Sequence, residues 1–361
     1  MPDDLTALLA ELTDAYGPTG SESAVRAVMR RELGPLSDGL ETDGLGSLIA
    51  TARGSEERPR IMLAAHMDEL GLLVRRITDE GYLKFQTLGG WLDQALINQR
   101  WRVLTRGGPV LGVTGIKTVH VMTAESRGQV FKHDDIFIDV GATSRDDAEE
   151  RLGIRVGDAV APDSNFEELA GGERFVAKAW DDRVGLAVMI LALRELRAGG
   201  HPNTVSAVAT VQEEVGLRGA QTSVHHVDPD VGISIESGVA SDYPGVTQDE
   251  AQEKLGGGPA LFLHDSSMLP NAKLRDLFTD VASSAEIPLQ LTVLAGYGED
   301  GSAIQRSRSG VPTINVAVPT RYLHSHNGIV ARADIERTAR LIAETVRRLD
   351  RATVDEIRAF D

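Results

Sequence analysis

The sequence predicts a three-layer α/β/α fold that carries an inserted small β-barrel. Three observations lead there. Apolar strand-like runs alternate with amphipathic helices early in the chain, the following stretch is broken into short strands by Gly and Pro, and the alternation then resumes. At 361 residues the chain is long enough for two domains, or for one large domain with an insertion.

The elements follow in order. Leu5, Leu8, Leu9, Leu12 and Tyr16 have helical spacing, and Gly17-Pro18 stops that helix. GSESAVRAVMRREL reads as a second helix with Ser21 or Ser23 as its cap. GSLIATARG and RPRIMLAAHMDELGLLV read as strands, and the unbroken apolar run 61–65 suits a strand buried on both faces. From about residue 71 to 163 the pieces are short: GYLKFQTLGGW, RWRVLTRGGPVLGVTGI, DIFIDVGA and GIRVGDAVAP, with SRDDAEERLG as the one helical stretch. These bounds predict a discontinuous catalytic domain, 1–71 and 164–361, around an inserted β-rich domain, 72–163. Trp91, Trp101 and Phe131 are expected in the inserted domain's core, and His120 on its surface. Then come the helix DDRVGLAVMILALRELRAGG, ended by Gly199 and Gly200, and the strands TVSAVATVQEE, VGISIES, IPLQLTVLAG and VPTINVAVPT. ADIERTARLIAETVRRLDRA closes the fold, with Ile335, Ala339, Ile342, Val346 and Leu349 on one face and Asp334 as the expected cap.

Composition narrows the function. A net charge of −17, from 37 basic and 54 acidic residues, argues against nucleic acid or an anionic membrane as the main partner, and suits attraction of metal cations. With no cysteine, any metal must be held by His, Asp or Glu. The start, MPDDLTALLAEL, lacks the basic flank and apolar core of a signal peptide, and no apolar run reaches ~20 residues, so a cytoplasmic location is expected.

Ligands of open α/β sheets bind beyond the carboxyl ends of the strands. Those ends carry His66-Met67-Asp68, Asp181-Asp182-Arg183, Glu213-Glu214, Glu236 and His324-Ser325-His326. Singly each is weak: an HxD occurs in solvated loops, and paired aspartates cap helices. Jointly, carboxylates and imidazoles at five buried strand ends point to cations. Adjacent Glu213 and Glu214 are then a ligand and a base that faces the bound water.

AAHMDELGLLV, AKAWDDRVG, QEEVGLRGA, GVPT and RYLHS resemble the TET-type metallo-aminopeptidases, peptidase family forty-two, and FIDVGATSRDDAEERLGIRVGDAVAPDSNFEEL resembles that family's inserted domain; the likeness covers about residues 16–346. It implies the co-catalytic zinc-peptidase fold and two divalent ions, Zn, Co or Mn, with a hydroxide between them. His66 would ligate one metal, with Asp68 hydrogen-bonding its imidazole; Asp181 would bridge, across a peptide to Asp182 that is cis in related sites; Glu214 and His324 would ligate the second metal; and Glu213 would be the general base. Glu236 stands where the family usually has aspartate and would complete the first metal's ligands. HSHNGIV departs where a glutamate is common, placing His326 and Asn327 there. AGYGEDGSAIQ resembles a substrate-side GTDA loop in which Glu299 and Gly301 are altered and Asp300 matches, as a substrate-binding residue. The implied activity is removal of single N-terminal residues from short peptides, by a homo-oligomer built from dimers into a tetrahedral dodecamer. The rival readings are a deacylase or glycan hydrolase on the same scaffold, and a metal-stabilised assembly protein without activity.

Overall fold

The structure is a computed structural model that describes residues 3–294 and 296–360; Met1, Pro2, Asp361 and Ala295, the last within the AGYGEDG stretch, lie outside it. An 11-stranded mixed sheet forms one body and a closed antiparallel barrel the other. The sheet's centre is parallel: Thr204–Thr210 lies beside Arg60–His66, which pairs with Val231–Val239, which pairs with Thr313–Arg321. Short antiparallel strands flank them on both sides.

The run 61–65 explains the layering. Ile61, Leu63 and Ala65 face the cluster built by the helices Asp4–Asp14, Ser23–Leu33, Trp180–Gly199, Ala272–Ser284 and Arg332–Arg348. Met62 and Ala64 face Val224 and Val227 of Arg218–Val227 and Ile304 of Asp300–Gln305. A strand covered on both faces has no need to alternate polar and apolar residues, hence its continuous hydrophobic reading.

The barrel closes through Gly71–Ile77, Leu83–Leu88, Phe137–Asp139, Gly108–Gly115, Arg100–Thr105 and Ala159–Pro162. Trp101 is fully buried in its core, where its ring nitrogen donates to Thr114 Oγ1 at 3.1 Å. Trp91 packs against that core with its ring nitrogen donating to the Gly71 carbonyl. Phe131 is half-buried and His120 exposed.

Some local expectations are corrected. Neither Ser21 nor Ser23 caps the second helix; Glu22 stands at its cap without a side-chain bond. Asp334 lies inside the first turn of Arg332–Arg348, because its carboxylate is taken by the N–H groups of Gly256 and Gly258 at 2.6 and 2.8 Å. The stretch after it is two helices, since Asp350 caps a new one, Arg351–Arg358, by accepting from Thr353 N–H. SRDDAEERLG is a single wide turn, Asp147–Arg151. Among the described residues, no helix is long and apolar enough to cross a membrane.

Candidate metal centre

Register assembles the centre. The parallel pairing sets Thr210 beside His66 and Ser234 beside Ala64, so Glu236, two residues on, reaches the level of His66 on the same face. Glu213 and Glu214 follow the end of Thr204–Thr210, and His324 follows the end of Thr313–Arg321. Asp181 enters from the start of Trp180–Gly199, where Asp181 and Asp182 have non-helical backbone and are joined by a cis peptide bond. Just before it, buried Lys178 is paired with buried Glu69 at 2.7 Å, which fixes the approach to that turn.

Asp181 lies between the two imidazoles. Its Oδ1 is 3.0 Å from His66 Nε2 and its Oδ2 3.1 Å from His324 Nε2. Each imidazole is oriented from behind by a carbonyl. His66 Nδ1–H donates to the Asp68 carbonyl at 2.9 Å, and His324 Nδ1–H donates to the Gly90 carbonyl at 2.8 Å. A carbonyl only accepts, so Nδ1 of each ring carries a proton and Nε2 is the nitrogen turned toward Asp181, the one that can ligate a cation once it gives up its own proton. At 3.0 and 3.1 Å the two imidazoles meet Asp181 as protonated donors, and a cation seated there would take the place of those protons. Ligand atoms of His66, Asp181 and Glu214, and again of His66, Asp182 and Glu236, lie within 4.8 Å of one another.

The electrostatics favour positive charge at this point. Burial works against the charged form of His324, yet the Asp181 hydrogen bond and the Glu214 charge carry it up to about 9. Burial opposes charge on His66 too, and Asp181 and Asp68 outweigh it, holding it well above its ordinary value. Burial and the Asp181 charge push Glu214 up to about 8, and burial drives Glu213 and Glu236 well above the carboxylate range. Carboxylates crowded this way stay ionised only with cations among them. Glu214 Oε1 is buried with no partner among the described residues, a further opening for a ligand.

The Asp68 side chain does more than was expected of it. Its carboxylate stands 3.5 Å from His66 Nδ1, farther than its own carbonyl oxygen. Asp68 Oδ1 accepts from Glu213 N–H at 2.9 Å, and Oδ2 from Glu214 N–H at 3.2 Å and the Thr19 hydroxyl at 2.9 Å. It therefore anchors the backbone of both glutamates. Asp300 is fully buried and accepts from the Thr210 hydroxyl at 2.6 Å, behind the strand end. Its neighbour Glu299 instead lines the cavity of about 370 Å³ that holds His66, Asp181, Glu213, Glu214 and His324. His326 is buried away from the ligands, its ring 5.6 Å from that of Trp91 and 4.5 Å from that of Trp101. Sequence reasoning passed over Asp182 and Tyr297. The first was visible as half of the aspartate pair; the second, beside Glu299, had no signal.

An α/β sheet whose strand ends bring imidazoles and carboxylates around one aspartate defines a metal-dependent hydrolase. The chain belongs to the M42 glutamyl aminopeptidase family, whose profile matches residues 46–341, and it is a metallo-aminopeptidase. It is 35% identical to the lysyl aminopeptidase of Pyrococcus furiosus, over 98% of both chains. A TET aminopeptidase from the marine sediment archaeon Thaumarchaeota archaeon SCGC AB-539-E09 superposes with a TM-score of 0.95 at 42% identity, covering 98% of this chain and 100% of that one. The Pyrococcus horikoshii TET1 peptidase, which can assemble into a tetrahedron or a large octahedral shell, superposes at 0.86 and 31% identity, over 96% of this chain and 100% of that one.

Proposed function

We propose that this chain removes single N-terminal residues from short peptides, using two divalent ions, with Glu213 as general base. The observation that carries the reading is the Asp181 carboxylate set between the Nε2 atoms of His66 and His324, at 3.0 and 3.1 Å. His66, Glu236 and Asp181 would hold one ion, and Glu214, His324 and Asp181 the other. Ions bound there supply Lewis acidity and bring the pKa of water toward neutrality. Hard oxygen and nitrogen donors suit Zn, Co or Mn.

Glu213 is not needed to complete either ligand set, and its Oε2 comes within 3.9 Å of His66 Nε2. Its carboxylate takes the proton of the attacking water and returns it to the leaving amine. Asp68 keeps that carboxylate in place through the Glu213 N–H. Glu236, one methylene longer than the family's aspartate, is steadied by the Ser234 hydroxyl, which donates to it at 2.8 Å.

The assembly of the TET1 relative supports a homo-oligomer here, with the inserted domain 72–163 as its dimer contact and 1–71 with 164–361 as the catalytic part. Glu213→Gln is the test: bound metal should stay at the wild-type level while hydrolysis of a leucyl-p-nitroanilide falls about 10²–10⁴-fold. Near-normal turnover by that variant refutes the base assignment.

A further inference from the structure

We infer that Glu253 and Tyr297 form a subsite beside the metal centre that takes the cationic side chain of the peptide's N-terminal residue, lysine or arginine. This rests on the aminopeptidase reading above and names its substrate class.

Glu253 has no role in the machinery described so far. It is fully buried, and among the described residues neither of its carboxylate oxygens has a hydrogen-bond partner. The Tyr297 hydroxyl is likewise buried and without a partner among the described residues, while the residue lines the same cavity as Asp181, Glu213, Glu214 and His324. Buried polar groups are nearly always paired, and an unpaired carboxylate is the costliest exception.

Sheet geometry places the pair. The Glu253 carboxylate rests against the backbone of Gly238, where an added Cβ would collide with it. Gly238 lies two residues beyond Glu236 in Val231–Val239, so it shares Glu236's face at a distance of ~7 Å along the strand. That span compares with an extended lysyl side chain. Ala317 pairs with Glu236 and Ala260 with Ala317, so the same face continues across the sheet. Tyr297 lies over it, packed against Ala260, Ala317 and Phe262, its ring 5.7 Å from that of Phe262. As a residue of the cavity wall that also packs on this face, Tyr297 joins the centre to the subsite.

The chemistry is selective. The Tyr297 ring, backed by buried Phe262, offers an apolar wall to a methylene stem, and the unpaired Glu253 carboxylate suits a cationic tip. Glu299, 4% exposed, adds another carboxylate at the cavity. Neither cavity that touches Asp181 and His324 is lined by a lysine or arginine, so an acidic side chain would find no counter-charge there.

The test uses the metal-loaded full chain with lysyl-, arginyl-, leucyl- and glutamyl-p-nitroanilide. Wild type should show the highest kcat/KM for the lysyl and arginyl substrates and the lowest for the glutamyl one. In Glu253→Gln, and independently in Tyr297→Phe, the lysyl-to-leucyl ratio of kcat/KM should fall about ten- to a hundred-fold, mostly through KM. A wild type that favours the glutamyl substrate, or a ratio unchanged in both variants, overturns the subsite. Hydrolysis of none of the four by wild type overturns the aminopeptidase reading, and the subsite with it.

Discussion

Glu253 carries a stability cost that can be measured without any substrate. Burial, and then the charge of Asp334, raises its carboxyl from 4.5 to about 8. The folded chain therefore binds a proton between those pH values that the unfolded chain has released, and stability falls as pH rises through that window. The contribution is whole below pH 4.5, declines through pH 8, and is gone above it. A gap of this size corresponds to roughly 5 kcal/mol as a ceiling, at about 1.4 kcal/mol per pH unit. Glu253→Gln keeps the shape and removes the titration. Its thermal midpoint relative to wild type should climb between pH 5 and pH 8.5 by up to ~6 °C for a chain of 361 residues. Differential scanning calorimetry of both proteins side by side, with metal content held constant, reads this directly. A midpoint difference that stays flat across the window would show that Glu253 is solvated or paired in solution, and would remove the premise of the cationic subsite.

Three further outcomes are expected. Asp68→Asn should lower kcat/KM about 10–100-fold with bound metal retained, because it weakens the acceptor for the Glu213 and Glu214 N–H groups; steady-state kinetics with metal analysis checks it. Gly89→Ala should cost at least about 1 kcal/mol in chemical denaturation and reduce turnover, since Gly89 has φ +82° and its added Cβ would meet the Leu70 side chain and stand 3.0 Å from Glu214 Oε2. His326→Phe should be neutral or stabilising in thermal melts, because both ring nitrogens of His326 lack partners among the described residues, whereas His326→Ala should lose about 2–4 kcal/mol by opening a cavity between Trp91 and Trp101.

The sequence is most informative where structure is decided locally. The run 61–65 announces a strand covered on both faces, and the Gly- and Pro-broken stretch announces a barrel, because each pattern records the burial of consecutive residues. Caps were misread where tertiary contacts compete. Asp334 looks like a cap in sequence, but the Gly256 and Gly258 amides claim its carboxylate. The centre divides in the same way. His66, Asp181, Glu213, Glu214, Glu236 and His324 each sit at or near the end of a readable element, so topology alone gathers them. Glu253 lies in AQEKLGGG, which has the polarity of a solvated turn. Its burial follows from packing on Gly238, a contact no local pattern encodes.

The barrel, an insertion in sequence, is part of the centre in space. Its Gly89–Gly90–Trp91 loop lies against both glutamate and histidine sides of the site: Gly89 approaches Glu214, and the Gly90 carbonyl fixes the His324 ring at 2.8 Å. Trp91 and Trp101 then enclose His326, two residues beyond His324, so the barrel core grips the same loop a second time. A metal ligand on a loop is only as well oriented as the group behind its ring. For His66 that group is the Asp68 carbonyl at the end of its own strand, whereas for His324 it comes from the other body of the molecule. Any change that shifts the barrel relative to the sheet therefore acts first on the Glu214 and His324 half of the centre and leaves the His66 and Glu236 half in place. This asymmetry is the physical link between the barrel's packing and the chemistry at the strand ends.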